Sequence, residues 1–330
     1  MKILFAGSPA VAVPSLEALA KLCREDAAFQ LVGVLTNPDA RRGRGGEAVP
    51  TDVAAAAGRL RPSPALLKPE KLDAAARQAV EALAPDLLVS FAYGRIFGPR
   101  FLGLFPLGGI NVHPSLLPRH RGATPIPAAI LARDRETGVS VQRLALEMDA
   151  GDILAQERIP LSGRETTLSL SGIAAEKGAE LLVETLRDRE LDKAAGTRQN
   201  DGEATYCSVI GKDDGLIDWS EAAEEIDAKI RAYTPWPLCR TAHRGRHLYI
   251  LEGSPYGGQA EGVPHDGAAQ PGTVLGTAGD FGILVQTGNG VFAVSLLQYA
   301  GKKALLWRDF LNGARDFLGS LLAGQDKRVT

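Results

Sequence analysis

No run of eighteen apolar residues occurs in this 330-residue chain, which excludes a helix of bilayer length. Cysteine is scarce. Cys23, Cys207 and Cys239 are scattered, odd in number and without metal-ligand spacing, so they build neither a disulfide framework nor a metal site, and a reducing, cytoplasmic setting is expected. The apolar opening, Met1 to Gly7, is too short for a secretory leader and shows no cleavage pattern. A surplus of positive charge is missing as well. With 37 Lys and Arg against 39 Asp and Glu the formal net charge is −2, which argues against a coat for nucleic acid and leaves a local basic contact open. Nor does the first strand-like run end in Gly-x-Gly-x-x-Gly. Gly7-Ser8-Pro9-Ala10-Val11-Ala12 lacks that turn, so a nicotinamide dinucleotide site is excluded.

What is present reads as an α/β protein. The hydrophobic fraction of 45% and charged fraction of 23% are ordinary for a globular chain long enough for two domains. Lys2 to Ala6 and Gln30 to Thr36 are apolar runs on either side of Pro14 to Leu22, whose leucines fall on one helical face. The spacing therefore predicts a β-α-β opening. Helices are expected over 51–59, 72–83, 125–131 and 168–186, and strands over 86–91, 109–112, 137–144 and 153–159. From Asp188 to Cys207 the chain turns polar, the composition of a linker. Beyond it one helix, over 222–232, precedes short strand-like runs at 247–252, 272–275, 282–287 and 291–298, which suggest a small β-barrel or sandwich. A glycine- and proline-rich insertion, 253–271, interrupts them.

These elements converge on Gly109 to Arg121. Asn111 and His113 are two apart on a strand, so they share a face, at the carboxyl edge of a parallel sheet where ligands of open α/β folds bind. Ser115-Leu116-Leu117-Pro118 follows as a turn able to wall a pocket. Asp149, between flexible residues, is the first carboxylate able to reach the pair, with Asp152 as its competitor; an Asp in a turn also serves as a local cap. An amide, an imidazole and a carboxylate suit acyl transfer through a tetrahedral intermediate: the amide donates to the developing oxyanion and the imidazole carries protons. Ser115 lacks the Gly-x-Ser-x-Gly setting of a hydrolase nucleophile, which favours direct attack by a substrate amine. On residue types alone, a polar strand end running into a surface loop explains the same stretch equally well. The loop Asn37 to Gly46, with Arg41, Arg42 and Arg44, reads either as a solvated connection or as an anion-binding flap.

Asn111-Val112-His113-Pro114-Ser115-Leu116-Leu117-Pro118, then Arg121-Gly122, then Asp149-Ala150-Gly151-Asp152 resemble the signature of the folate-dependent formyltransferases. The resemblance implies that Asn111, His113 and Asp149 are catalytic. It implies a tetrahydrofolate site at Ser115, Leu116, Leu117 and Pro118, to which the strand exit adds Phe91 and Tyr93, with 10-formyltetrahydrofolate as co-substrate and no metal. Lys2 to Pro9, the loop from Asn37 to Gly45, Ile217-Asp218-Trp219-Ser220, Pro235-Trp236-Pro237 and Ala300 to Leu305 resemble the branch that formylates initiator methionyl-tRNA for translation initiation. That branch implies a Rossmann-like formyltransferase sheet over 1–189, a linker over 190–208 and an OB-fold-like tRNA-binding barrel over 209–330. It also implies tRNA contacts at Arg42, Arg44, Arg231, Lys302 and Lys303, in a cytoplasmic enzyme expected to be monomeric. Folate-dependent formylation of an amino sugar nucleotide is the alternative activity.

Two features depart from that pattern. Gly46-Glu47-Ala48 stands where lysines are expected, which weakens a cationic flap. From Val209 onward twelve Lys and Arg face fourteen Asp and Glu, so RNA binding there requires charges sorted onto one face.

Overall fold

The computed structural model describes residues 1–41, 46–188, 196–258 and 269–323. The chain forms two units, one of residues 1–126, 135–161 and 169–208, the other of 127–134, 162–168 and 209–330.

In the first unit β1 (Lys2–Gly7), α1 (Val13–Glu25) and β2 (Gln30–Leu35) form the expected β-α-β opening. The short β3 (Ala40–Arg41) and β4 (Ala48–Val49) pair with each other in antiparallel register. Side-chain oxygens start the next two helices: Thr51 accepts from the amide of Ala54 at 3.0 Å before α2 (Asp52–Arg59), and Asp73 from that of Ala76 at 3.1 Å before α3 (Ala74–Glu81). Between them lies β5 (Ala65–Leu67), a strand too short and too near Pro62 and Pro64 for its pattern to stand out. There follow β6 (Leu87–Phe91), α4 (Pro99–Leu102), β7 (Gly109–His113), β8 (Arg121–Gly122), α5 (Pro125–Leu131), β9 (Glu136–Arg143), β10 (Ile153–Pro160), α6 (Thr167–Arg187) and β11 (Tyr206–Cys207).

The main sheet runs β5-β2-β1-β6-β7-β9-β10, parallel from β5 to β7, with β9 antiparallel to β7 and β10 antiparallel to β9. Both faces are covered, so Leu87, Leu88, Val89 and Phe91 of β6 are fully buried, each worth about 1.5–3 kcal/mol. On one face α6 approaches so closely that a side chain at Gly178 would meet Val112, Val139 and Phe91. On the other, Leu4, Ala6, Leu35 and Leu88 pack against Tyr93, Phe97, Phe101 and Phe105, whose rings follow one another at 5.3, 5.4 and 5.8 Å.

The described part of the expected linker is a strap of the first unit. Thr197 exchanges two backbone hydrogen bonds with Ile153 (2.9 and 2.8 Å), and β11 pairs in parallel with β8. Most of its side chains do face water, but Gln199 is buried and the backbone is paired to Ile153 and β8, which holds the polar stretch in place.

In the second unit α7 (Ala223–Ala232) precedes β12 (Cys239–His243), β13 (Arg246–Pro255), β14 (Val274–Ala278), β15 (Gly282–Gln286), β16 (Val291–Tyr299) and β17 (Leu305–Leu306), then α8 (Trp307–Gly313). The antiparallel order is β12-β13-β16-β15-β14, with β17 on β16. Ala323 bridges to Ala242 of β12 and Leu321 to Thr273 beside β14, so the terminal segment closes the two free edges, as in the small barrel expected. Leu248, Ile250, Val274, Ile283, Val285, Phe292, Val294 and Leu297 fill the interior. The Cys239 thiol among them is pushed up to about 12 by burial and is inert at neutral pH. The 253–271 insertion begins as strand, since β13 continues to Pro255.

Candidate active site

Strand register builds the site. Ser90 of β6, Asn111 of β7 and Gln142 of β9 are in register, and His113 is opposite Ser140. Residues in register share a face. The result is a polar row, Ser90-Asn111-Gln142, at the carboxyl end of β6 and β7. The Asn111 side chain has no hydrogen-bond partner among the described residues and is partly open, so its amide is available to a ligand.

His113 is 4% exposed. Its Nε2 lies 2.9 Å from the carbonyl oxygen of His120. A carbonyl only accepts, so Nε2 carries a proton. The other nitrogen, Nδ1, faces Oδ1 of Asp149 at 3.6 Å. Asp149 is thereby chosen over Asp152. Its Oδ2 accepts from the amide of Gly122 at 2.9 Å and its Oδ1 from Nε2 of Gln142 at 2.9 Å. Asp149 has φ of +53°, the left-handed region that Asp tolerates better than most residues. The turn is bounded by Gly151, where any Cβ would collide with the carbonyl oxygen of Arg143.

Ser115 to Pro118 form the expected turn, held from beneath. Ser140 Oγ donates to the carbonyl oxygen of Ser115 at 2.7 Å and accepts from the amide of Leu117 at 3.1 Å. Gln156 Nε2 donates to Ser140 Oγ at 2.8 Å and to the Leu117 carbonyl oxygen at 3.0 Å. Ser115 is fully buried and its hydroxyl donates to the Arg119 carbonyl oxygen at 2.6 Å, an arrangement with no base beside it. Cys207 is also no nucleophile: its Sγ lies 3.3 Å from the Arg121 carbonyl oxygen, and burial pushes the thiol up.

Other sequence candidates fall elsewhere. The Phe91 and Tyr93 rings belong to the core, at 0% and 2% exposure, so neither offers a face to a ligand; alternation along β6 sends Phe91 toward α6. The exposed residues of that edge are Ala92 and Gly94. The Tyr93 carbonyl oxygen accepts from Asn37 Nδ2 at 2.9 Å, and Gly94 takes a φ of +82°. Arg42 and Arg44 lie outside the described residues. Arg231 is not a free cation: it pairs with Asp227 at 2.8 Å and donates to the Glu165 carbonyl oxygen at 3.1 Å. Lys302 and Lys303 are exposed on the turn between β16 and β17.

Sequence reasoning missed Gln142, Gln199 and the function of Arg121. Gln142 was recoverable from register; Gln199, in the polar stretch, gave no signal. Gln199 is 6% exposed, and its Nε2 donates to the carbonyl oxygens of Asp149 (2.8 Å) and Gly151 (2.6 Å) and approaches Gln142 Oε1 at 3.2 Å. Its Oε1 accepts from Nε of the fully buried Arg121 at 3.0 Å. The Arg121 guanidinium reaches Asp201 at 2.8 Å and the Tyr206 hydroxyl at 3.1 Å.

Among the described residues this polar assembly can bind a carbonyl oxygen at Asn111 and hold a proton at His113, with no side-chain nucleophile beside them and no group of metal ligands. Known proteins resemble the chain as a whole. The methionyl-tRNA formyltransferase of Treponema denticola is 49% identical over 96% of this chain and 98% of its own length; that of a Roseiflexus species is 40% identical over 100% and 98%. Among solved structures, a Helicobacter canadensis N-formyltransferase in complex with folinic acid and dTDP-3-aminofucose aligns with a TM-score of 0.61 at 17% identity, covering 89% of this chain and 99% of that one. HypX from Aquifex aeolicus in complex with tetrahydrofolic acid aligns at 0.62 and 17%, over 96% of this chain and 48% of that one. At such identities these structures speak for the fold alone. The formyl transferase family model matches residues 1–186, which contain Asn111, His113 and Asp149, and its C-terminal domain model residues 209–315; the chain belongs to the formyl transferase family.

Proposed function

We propose that this chain transfers the formyl group of 10-formyltetrahydrofolate to the α-amino group of methionyl-initiator tRNA. It does so as a monomer in the cytoplasm, at the start of translation. The carrying observation is the unpartnered Asn111 amide beside the His113–Asp149 pair, in a chain 49% identical over almost its whole length to a methionyl-tRNA formyltransferase. Among the described residues no helix is long and apolar enough to cross a membrane.

The folate co-substrate supplies a formyl group bonded to nitrogen. Asn111 donates its amide to the formyl oxygen, and more strongly as that oxygen gains negative charge under attack by the amine. His113, anchored through Nε2, takes the proton shed by the attacking amine at Nδ1, beside Asp149, and passes it to the folate nitrogen as the bond from that nitrogen to the formyl carbon breaks. Asp149 stabilises the imidazolium formed during that transfer. The Ser115–Pro118 wall, fixed by Ser140 and Gln156, lines the folate side. Arg42, Arg44, Lys302 and Lys303 are the proposed phosphate contacts. Arg231 is left out of that set because Asp227 neutralises it.

The test is transfer from 10-formyltetrahydrofolate to charged initiator tRNA over a range of salt concentrations. Phosphate contacts release counterions, and each one lost lowers the slope of log K against log salt by about 0.7 to 0.9. Substitution of both Lys302 and Lys303 by alanine should flatten the slope by about 1.4 to 1.8 if each lysine contacts one phosphate. No transfer to tRNA, together with efficient formylation of an amino sugar nucleotide, would overturn the reading.

A further inference from the structure

We infer that Gln199, carried on the strap that leaves the catalytic unit, is a positioning residue for Asp149, and that Arg121 fixes the direction in which Gln199 works. The inference rests on the formyl-transfer reading of the site and assigns a part of it to a segment that the sequence presents as linker.

The hydrogen bonds form a one-way chain. Arg121 can only donate, so the Gln199 amide must turn its oxygen toward Nε, at 3.0 Å. That orientation leaves Gln199 Nε2 facing the carbonyl oxygens of Asp149 and Gly151, at 2.8 and 2.6 Å, and Gln142 Oε1 at 3.2 Å. Gln142 in turn places its oxygen toward Gln199 and its Nε2 toward Oδ1 of Asp149, at 2.9 Å. A carboxylate only accepts, so the second glutamine is held in one orientation from both ends. Neither amide can rotate without setting donor against donor.

The chain does two things to Asp149. Through Gln142 it supplies one of the two donors that fix the carboxylate. Through Gln199 it ties down the backbone of the 149–151 turn, where Asp149 sits at φ +53°. The left-handed conformation costs an L-residue roughly 1–2 kcal/mol, so it persists only where neighbours hold it. Two carbonyl oxygens clamped by one buried amide provide that hold. The strap itself is secured independently by the Thr197–Ile153 backbone pair and by β11 on β8. Loss of the Gln199 amide should therefore leave the strap in place while freeing the turn.

The experiment compares wild type, Gln199→Leu and the gentler Gln199→Asn, which keeps an amide but retracts it by one methylene. Steady-state formylation of charged initiator tRNA is measured with both substrates varied, and circular dichroism and thermal melting report folding. Gln199→Leu should lower kcat 30-fold or more and Gln199→Asn at least 5-fold, with KM for 10-formyltetrahydrofolate changed less than 2-fold. In an Asp149→Ala background, either substitution should lower the residual rate less than 2-fold, because nothing remains to be positioned. A purely structural function would raise KM in step with lost kcat and lower the rate equally in both backgrounds. Either of those results overturns the inference, as does kcat within 3-fold of wild type in Gln199→Leu. If Gln199→Leu does not fold, Gln199→Asn and its Asp149→Ala combination decide the matter by the same criteria. An inactive wild-type enzyme would instead refute the formyl-transfer reading, so the two failures are distinguishable.

Discussion

Replacing Asp149 by asparagine changes one atom in volume and a great deal in hydrogen bonding. The carboxylate receives three approaches on two oxygens: Gly122 N and Gln142 Nε2 at 2.9 Å each, and His113 Nδ1 at 3.6 Å. Asparagine offers one acceptor and one donor. With its NH2 toward Gly122, two donors meet. With its NH2 toward Gln142, the glutamine must rotate, then Gln199 must rotate, and the conflict moves along the chain until Arg121, which cannot accept. One buried donor is left unpaired in every arrangement, at a cost of about 1–3 kcal/mol. At roughly 2–4 °C per kcal/mol for a unit of this size, the melting temperature of the first unit should fall by about 2–12 °C. The imidazole loses its anionic partner too, and proton transfer by a positioned group contributes about 10²–10⁴-fold to rate. Single-turnover formylation at saturating folate and tRNA should therefore slow by about 10²–10⁴ in Asp149→Asn. A rate within fivefold of wild type, with the variant folded, would refute the assignment of Asp149 and the one-way chain behind it.

Asn111→Ala should lose kcat by about 10²–10³ with little change in KM for the folate, since its amide is asked to bind the oxyanion more tightly than the ground-state carbonyl; near-normal turnover would remove that assignment. A chain ending after Ser208 should bind a tetrahydrofolate analogue normally by calorimetry, whereas one ending after Arg187 should bind it with a mobile 149–151 turn, visible as faster amide exchange there; equal exchange in the two would count against the strap. The buried His243 bears on the second unit. Burial is the largest influence on it and lowers its pKa, opposed by Asp316 and reinforced by Arg244 and Arg246. The unfolded chain then binds the proton more readily than the folded one, so stability is fully present above about pH 6.5 and declines as pH falls below it. Thermal melts of the second-unit transition should show that acid loss in wild type and lose most of it in His243→Asn; the same loss in both would exclude His243 as its source.

Most of the framework was legible because it depends on local pattern. Apolar runs marked β1, β2, β6 and β7, and a proline in the first turn marked α5. The expected α6 was found within a residue at either end. β12 escaped notice because its inward face carries Thr241 and His243, which are partnered by Trp219 Nε1 at 3.0 Å and the Tyr299 hydroxyl at 2.6 Å, so it shows no apolar alternation. The motif carried Asn111, His113 and Asp149, yet it could not show what holds the carboxylate. Gln142 and Gln199 are ordinary polar residues until the register and the strap bring them together. Arg231 was the reverse case. Its spacing of four from Asp227 on α7 was visible in the sequence and already indicated a pair along the helix.

The strap also sets an order of events in the life of the chain. Gln199 follows Asp149 by 50 residues and Arg121 by 78, and Tyr206 follows Arg121 by 85. Chains are made from the amino terminus at about 5–20 residues per second, and domains fold as their segments emerge. All seven strands of the main sheet are synthesised by Pro160, before any of the strap exists. A nascent chain that has just completed α6 thus owns its whole sheet, its Asn111, its His113 and the Gly122 and Gln142 donors to Asp149, but lacks the Gln199 clamp on the carbonyl oxygens of the 149–151 turn. If Gln199 positions Asp149, the site is completed only with residues 197 to 207, so the last segment of the unit to leave the ribosome is the one that steadies a part made long before it.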